Sequence, residues 1–131
     1  MFNELKTTQI AGYLLFMADE SMPDRKLLQL MYLADREEYD NYGSSITGDD
    51  VIATEKGIIL SNTYDLINGY KSEINKWSDL IITNEENNTV SLNRPLSPND
   101  FTKMCEAYIK TLDKIFKQFG HLNLWILTNY I

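Results

Sequence analysis

The sequence predicts an α+β fold, predominantly helical, in which a central buried helix is packed by amphipathic helices and a small antiparallel β-hairpin. Three observations predict it. The run Leu27-Leu28-Gln29-Leu30-Met31-Tyr32-Leu33-Ala34 is apolar nearly all round, the pattern of a helix enclosed by other elements. Two flanking segments each hold a single apolar stripe at helical spacing: Ile10, Tyr13, Leu14, Met17 and Ala18, then Phe101, Met104, Cys105, Tyr108, Ile109, Leu112, Ile115, Phe116 and Phe119. Between them, residues 80–83 and 89–92 are β-rich runs separated by the polar turn Asn84-Glu85-Glu86-Asn87-Asn88.

The first helix spans residues 4–19. Gly12 inside it costs about 1 kcal/mol relative to alanine and marks a close crossing with another helix. Ser21-Met22-Pro23-Asp24 then reads as a helix start, with Ser21 accepting from a first-turn N–H, Pro23 tolerated in that turn and Asp24 suited to the positive end of the dipole. The central helix continues to Tyr42, and Gly43 occupies the left-handed position that ends it. Wound at 100° per residue, Leu28, Tyr32, Asp35, Tyr39 and Tyr42 share one seam, while Lys26, Gln29, Arg36, Glu37 and Asp40 share the opposite strip. Residues 43–50 are a loop, and Val51-Ile52-Ala53 a short strand. Gly48 and Gly57 stand where a side chain is disfavoured. Ser61 caps a further helix through Tyr64, Leu66 and Ile67, stopped by Gly69. The hairpin leans on the helices or pairs with the Val51 segment, because two strands alone are marginal. Ser97, Pro98 and Asp100 begin a long helix that Gly120 ends. A closing helix over residues 123–130 covers the core with Leu124, Trp125 and Leu127.

At 131 residues the chain fits one domain, 1–131, with a core that needs no disulfide or structural metal. The single cysteine agrees with that. The 19 acidic and 12 basic residues give a net charge of −7, and only Arg25 and Lys26 are adjacent cations. A surface that neutralises phosphates needs clustered Lys and Arg, so no nucleic-acid partner is expected. The apolar patch from Ile10 to Ala18 is well short of the ~20 residues that cross a bilayer, and no secretory signal opens the chain. A cytoplasmic protein with no membrane partner is the expectation.

The chemistry-bearing residues form no convincing catalytic set. His121, the one histidine, has no ligand partner and reads as a hinge or cap. Cys105 lies on an apolar stripe and reads as a buried, inert thiol. No serine stands in a Gly-x-Ser-x-Gly turn, and the glycines lack the spacing and ending of a P-loop. Asp35, Glu37, Glu38 and Asp40 diverge around their helix and cannot converge on one ion. Asp49 and Asp50 with Thr47 are the remaining metal-capable group, without the pattern of a calcium loop. No metal or cofactor is expected. Asp35, lying between tyrosines, is either a carboxylate satisfied by a hydroxyl or backbone N–H, or a recognition or catalytic group.

A family resemblance narrows the function. Lys26-Leu27-Leu28 leading to Tyr32-Leu33-Ala34-Asp35-Arg36-Glu37, then Tyr42-Gly43 and Ile46-Thr47-Gly48-Asp49, and on through Gly57 to Ser61 and Tyr64, resembles the Panacea domain, the SocA-like or GepA-type antitoxin domain. The hairpin and the ending Leu124-Trp125-Ile126-Leu127-Thr128 are weaker echoes. Two departures stand out. Gly57-Ile58-Ile59-Leu60 replaces the usual Gly-Pro-Val-Pro, and the chain ends at Ile131 before the family's Thr-His pair, so no role of that histidine transfers. The resemblance implies a non-enzymatic antitoxin of a bacterial or prophage toxin–antitoxin pair that neutralises a cognate toxin protein by direct binding. The residues it singles out for partner binding are Tyr32, Asp35, Arg36, Tyr39, Tyr42, Thr47, Gly48, Asp49, Gly57 and Tyr64. Two other classes remain open. One is a small-ligand or enzymatic domain using Asp35 and the Thr47-Gly48-Asp49 loop. The other is a DNA-linked regulator whose first two helices form a helix-turn-helix, opposed by the acidic charge and by the apolar flanks of the second helix.

Overall fold

A computed structural model describes residues 1–70 and 76–131. The chain runs through α1 (Glu4–Met17), β1 (Ser21–Pro23), α2 (Asp24–Tyr42), β2 (Val51–Thr54), β3 (Gly57–Leu60) and α3 (Ser61–Ile67). It continues through α4 (Lys76–Leu80), β4 (Ile81–Asn84), β5 (Thr89–Leu92), a 3-10 turn at Pro98–Phe101, α5 (Glu106–Phe119) and α6 (Leu124–Tyr130). The result is α+β and mainly helical.

The apolar run makes α2 the centre. Leu27, Leu28, Leu30, Met31, Leu33 and Ala34 are buried, and α1, β3, α5 and α6 all pack on this helix. Two polar residues are buried with them. Gln29, placed by helical winding on the outer strip, instead donates its amide to the Thr128 hydroxyl of α6 at 2.9 Å. Glu38 accepts a 2.7 Å hydrogen bond from the Thr111 hydroxyl of α5. Buried polar groups need such partners, so the helix pays little for enclosing them. Gly43 ends α2 in the left-handed conformation, φ 82°, with its N–H on the Tyr39 carbonyl.

Three local expectations are corrected. Ser21 caps nothing: it is extended and pairs with Ser91, so Met22 and Val90 meet in the core and β1 becomes the third strand of a sheet ordered β1-β5-β4. The hairpin therefore pairs with β1, while the Val51 segment pairs with β3 in a separate two-stranded sheet. The long C-terminal stripe is not one helix. Ser97 and Asp100 form the expected capping box, but the chain then breaks at Thr102–Cys105 before α5. The Gln9 side chain of α1 holds the break, accepting from Lys103 N at 2.7 Å and donating to the Thr102 hydroxyl at 3.0 Å. A periodicity count cannot see that distant competitor.

Exposure changes two further readings. Cys105 stands at the start of α5 and is exposed, not buried. Trp125 is 74% exposed, and of the three residues assigned to cover the core from α6 it is Leu127 that is fully buried. Gly12 does mark a close crossing, since a Cβ there would lie 2.8 Å from Leu80 Cδ2 at the end of α4. Gly120 follows α5 with φ −64°, so no left-handed turn is involved there. His121 is exposed and packs edge-on against Phe116, ring centroids 5.4 Å apart.

Candidate partner-binding site

The residues singled out by the sequence divide into an inner and an outer group. Asp35 is the hub of the inner one. One carboxylate oxygen accepts from the backbone N–H of Ile46 and of Thr47, both at 3.0 Å, and the other accepts from the Thr47 hydroxyl. Burial pushes the Asp35 carboxyl above the ordinary carboxylate range, and these three donors pull part of the way back. Asp35 thus fastens the loop leaving α2 against the helix about two turns before its C-terminal end. Its carboxylate is satisfied by a hydroxyl and backbone N–H groups, as the first of the two readings of its position expects.

Asp49 continues the same construction. Its carboxylate accepts from Asn62 N at 2.8 Å, Thr63 N at 2.9 Å and the Thr63 hydroxyl at 2.6 Å. The two N–H groups are orphan donors of the first turn of α3, so Asp49 acts as its cap from the preceding loop. Ser61, expected to cap this helix, makes no side-chain cap bond; Leu60 holds the N-cap position. The signal that competed was an aspartate far away in sequence.

Gly48 and Gly57 are required by close approach. Gly48 has φ +71°, and a Cβ there would fall 2.1 Å from the Met1 carbonyl oxygen. The N-terminal segment lies across the loop, with Asn3 N donating to the Thr47 carbonyl at 2.8 Å. Gly57 has φ +112° and sits over the Gln29–Thr128 hydrogen bond, with a Cβ position 3.2 Å from Thr128 and 3.3 Å from Gln29. Where the family usually has prolines after this glycine, the chain has a strand whose Ile59 and Leu60 are buried.

The outer group faces solvent. Tyr39 and Tyr42, at the end of α2, are 62% and 67% exposed, and Tyr64 on α3 is 41% exposed. Arg36 is exposed and borders a polar cleft between α2 and α5 with Glu37, Asp40 and Lys114. Lys114 pairs with Glu37 at 2.8 Å and lowers its carboxyl below the ordinary range. Tyr64 lines a second cleft, of ≈ 450 Å³, with Arg25, Lys56, Asn88 and Leu124. Tyr32 is half-buried against the core. Sequence reasoning missed the exposed apolar residues Val51 and Ile52 of β2 and Trp125 of α6. An apolar residue at a position with no packing partner leaves no trace in composition.

Among the described residues no three His, Cys, Asp or Glu side chains converge as a metal-holding group, and no helix is long and apolar enough to cross a membrane. The geometry is that of a mainly helical fold whose polar loop is bonded internally and whose Tyr39, Tyr42 and Tyr64 face outward. The chain matches the family described as antitoxin SocA-like, Panacea domain, over residues 27–131. It belongs to that family, whose character is antitoxin-like. No curated protein and no solved structure matches it.

Proposed function

We propose that this domain is an antitoxin that neutralises a toxin protein by direct binding, without chemistry of its own. The observation that supports this most is the division of the candidate residues. Asp35, Thr47 and Asp49, which a catalytic reading needs free, are consumed by hydrogen bonds that hold the loop and α3. Tyr39, Tyr42 and Tyr64, left outside, are of the residue type that anchors protein interfaces, where large rigid side chains bury area at low entropic cost. In this reading Arg36, Tyr39, Tyr42 and Tyr64 touch the toxin. Asp35, Thr47, Gly48, Asp49 and Gly57 set the shape that presents them, and Tyr32 ties the seam to the core. The toxin is the cognate product of a neighbouring gene, and binding involves neither nucleic acid nor membrane.

The test is co-expression with the product of the adjacent open reading frame. Growth rescue together with co-purification is the expected result. A neighbour that is toxic, yet neither neutralised nor bound, would overturn the reading. The enzymatic alternative separates cleanly, because Asp35→Asn in a folded domain leaves neutralisation intact if Asp35 is structural and abolishes it if Asp35 does chemistry.

A further inference from the structure

β2 is a short edge strand of four residues, all of them exposed. Its one strand neighbour among the described residues is β3, which lies between it and α2. Val51 is 51% exposed and Ile52 43%. Natural sheets blunt such edges with proline, lysine, a bulge or a covering element. The sequence Val51-Ile52-Ala53-Thr54 uses none of these, and its register with β3 runs unbroken from Val51↔Leu60 to Thr54↔Gly57.

The direction of the free backbone groups follows from that register. Bonded and non-bonded pairs alternate along an antiparallel ladder. Ser61 N donates to the Asp50 carbonyl at 2.8 Å, which makes Asp50–Ser61, Ile52–Ile59 and Thr54–Gly57 the bonded pairs. Val51 and Ala53 fall between them, so their N–H and C=O groups point away from β3. Such a row of donors and acceptors matches another extended backbone and little else.

We infer that the β2 edge, through the outward backbone groups of Val51 and Ala53, receives an extended strand of the toxin, added antiparallel or parallel to the β2-β3 sheet. The inference rests on the toxin-binding reading above and specifies how the partner is held. Charge selects the occupant. The edge carries the exposed Asp50 at one end and the mixed-charge Glu55–Lys56 turn, with Arg25 beside it, at the other, on a chain of net charge −7. The net charge opposes a second copy of the domain, and Asp50 suits a strand that is apolar at its centre and carries Lys or Arg at the end that meets it. The neighbouring turn is already fixed for the purpose, since Arg25 holds the Lys56 carbonyl at 3.1 Å and Gly57 rests on α2 and α6.

The experiment measures binding of the neighbouring gene's product to the full chain and to two variants. Ala53→Pro removes an outward N–H that β3 does not use, which an edge strand tolerates. Ala53→Ser alters the side chain and keeps the backbone donor. The expected result is that Ala53→Pro weakens binding about tenfold or more, the scale of a lost backbone hydrogen bond in an interface, while Ala53→Ser binds as the parent does. A folded Ala53→Pro that binds as tightly as the parent overturns the edge assignment and leaves the antitoxin reading standing. A parent chain that does not bind its neighbour overturns both.

Amide hydrogen exchange on the parent protein needs no variant and covers the case where Ala53→Pro does not fold. Val51 and Ala53 gain protection in the complex, whereas Ile52 is protected already in the free domain. Unchanged exchange at Val51 and Ala53 overturns the inference. So does a homodimer of the free chain that Ala53→Pro dissolves, since the edge would then belong to a second copy.

Discussion

Asp35 shows how one side chain decides between a structural and a chemical reading. Its partners are two backbone N–H groups and a hydroxyl, all in the loop that leaves α2. Asp35→Ala leaves these donors buried without an acceptor, at a cost of roughly 3 kcal/mol. Asp35→Asn keeps an acceptor oxygen and costs about 1 kcal/mol; urea titration of both variants checks the order. Asp49→Ala removes the cap of α3 and costs about 1–2 kcal/mol by the same measurement. At the other end of the molecule Arg94 donates to Asp100 at 2.7 Å and draws its carboxyl down to about 2. A carboxyl held low in the folded state contributes stability that is complete above its ordinary pKa and is lost as pH falls through the folded value. Thermal unfolding between pH 5 and pH 2 should therefore fall more steeply for the parent than for Asp100→Asn, and equal slopes would remove Asp100 from the acid response. Burial shifts Asp35 the opposite way. Its ionisation opposes folding as pH rises through the ordinary carboxylate range and into the raised one, and Asp35→Asn should flatten that limb.

At the scale of elements, the sequence made legible what local periodicity and local caps control. The C-terminal end of α2 with its left-handed Gly43, the hairpin of β4 and β5, and the capping box at Ser97 all depend on residues within one or two turns of each other. Three of the misses share one physical cause, a partner remote in sequence. Ser21 looks like a cap until Ser91 pairs with it, Ser61 until Asp49 reaches its helix, and Thr102 looks helical until Gln9 binds it. Of the candidate site, the loop residues were visible through their glycines and aspartates, but their inward orientation was not, because an aspartate pattern is the same for a cap and for a contact. The two close-approach glycines give a graded test. Gly48→Ala meets backbone in a left-handed conformation, whereas Gly12→Ala meets the end of a leucine side chain that can turn aside. Gly48→Ala should lower the melting temperature several-fold more than Gly12→Ala. Comparable losses would mean that the N-terminal segment yields as easily as Leu80.

For the whole molecule, the polar loop finds its partners within the domain, and the exposed surface includes the aromatic and apolar side chains of Tyr39, Tyr42, Tyr64, Trp125 and the β2 edge. Surface of that kind, on a member of an antitoxin-like family, supports recognition of another protein through shape and burial. The most direct test of that claim is calorimetric titration of the neighbouring gene's product into the parent domain and into a Tyr39→Ala/Tyr42→Ala double variant of unchanged stability. The account predicts a tight complex for the parent and a loss of about 2 kcal/mol or more for the double variant, the scale of interface anchors. Equal affinity for the two proteins, or no heat of binding to the parent, would contradict it.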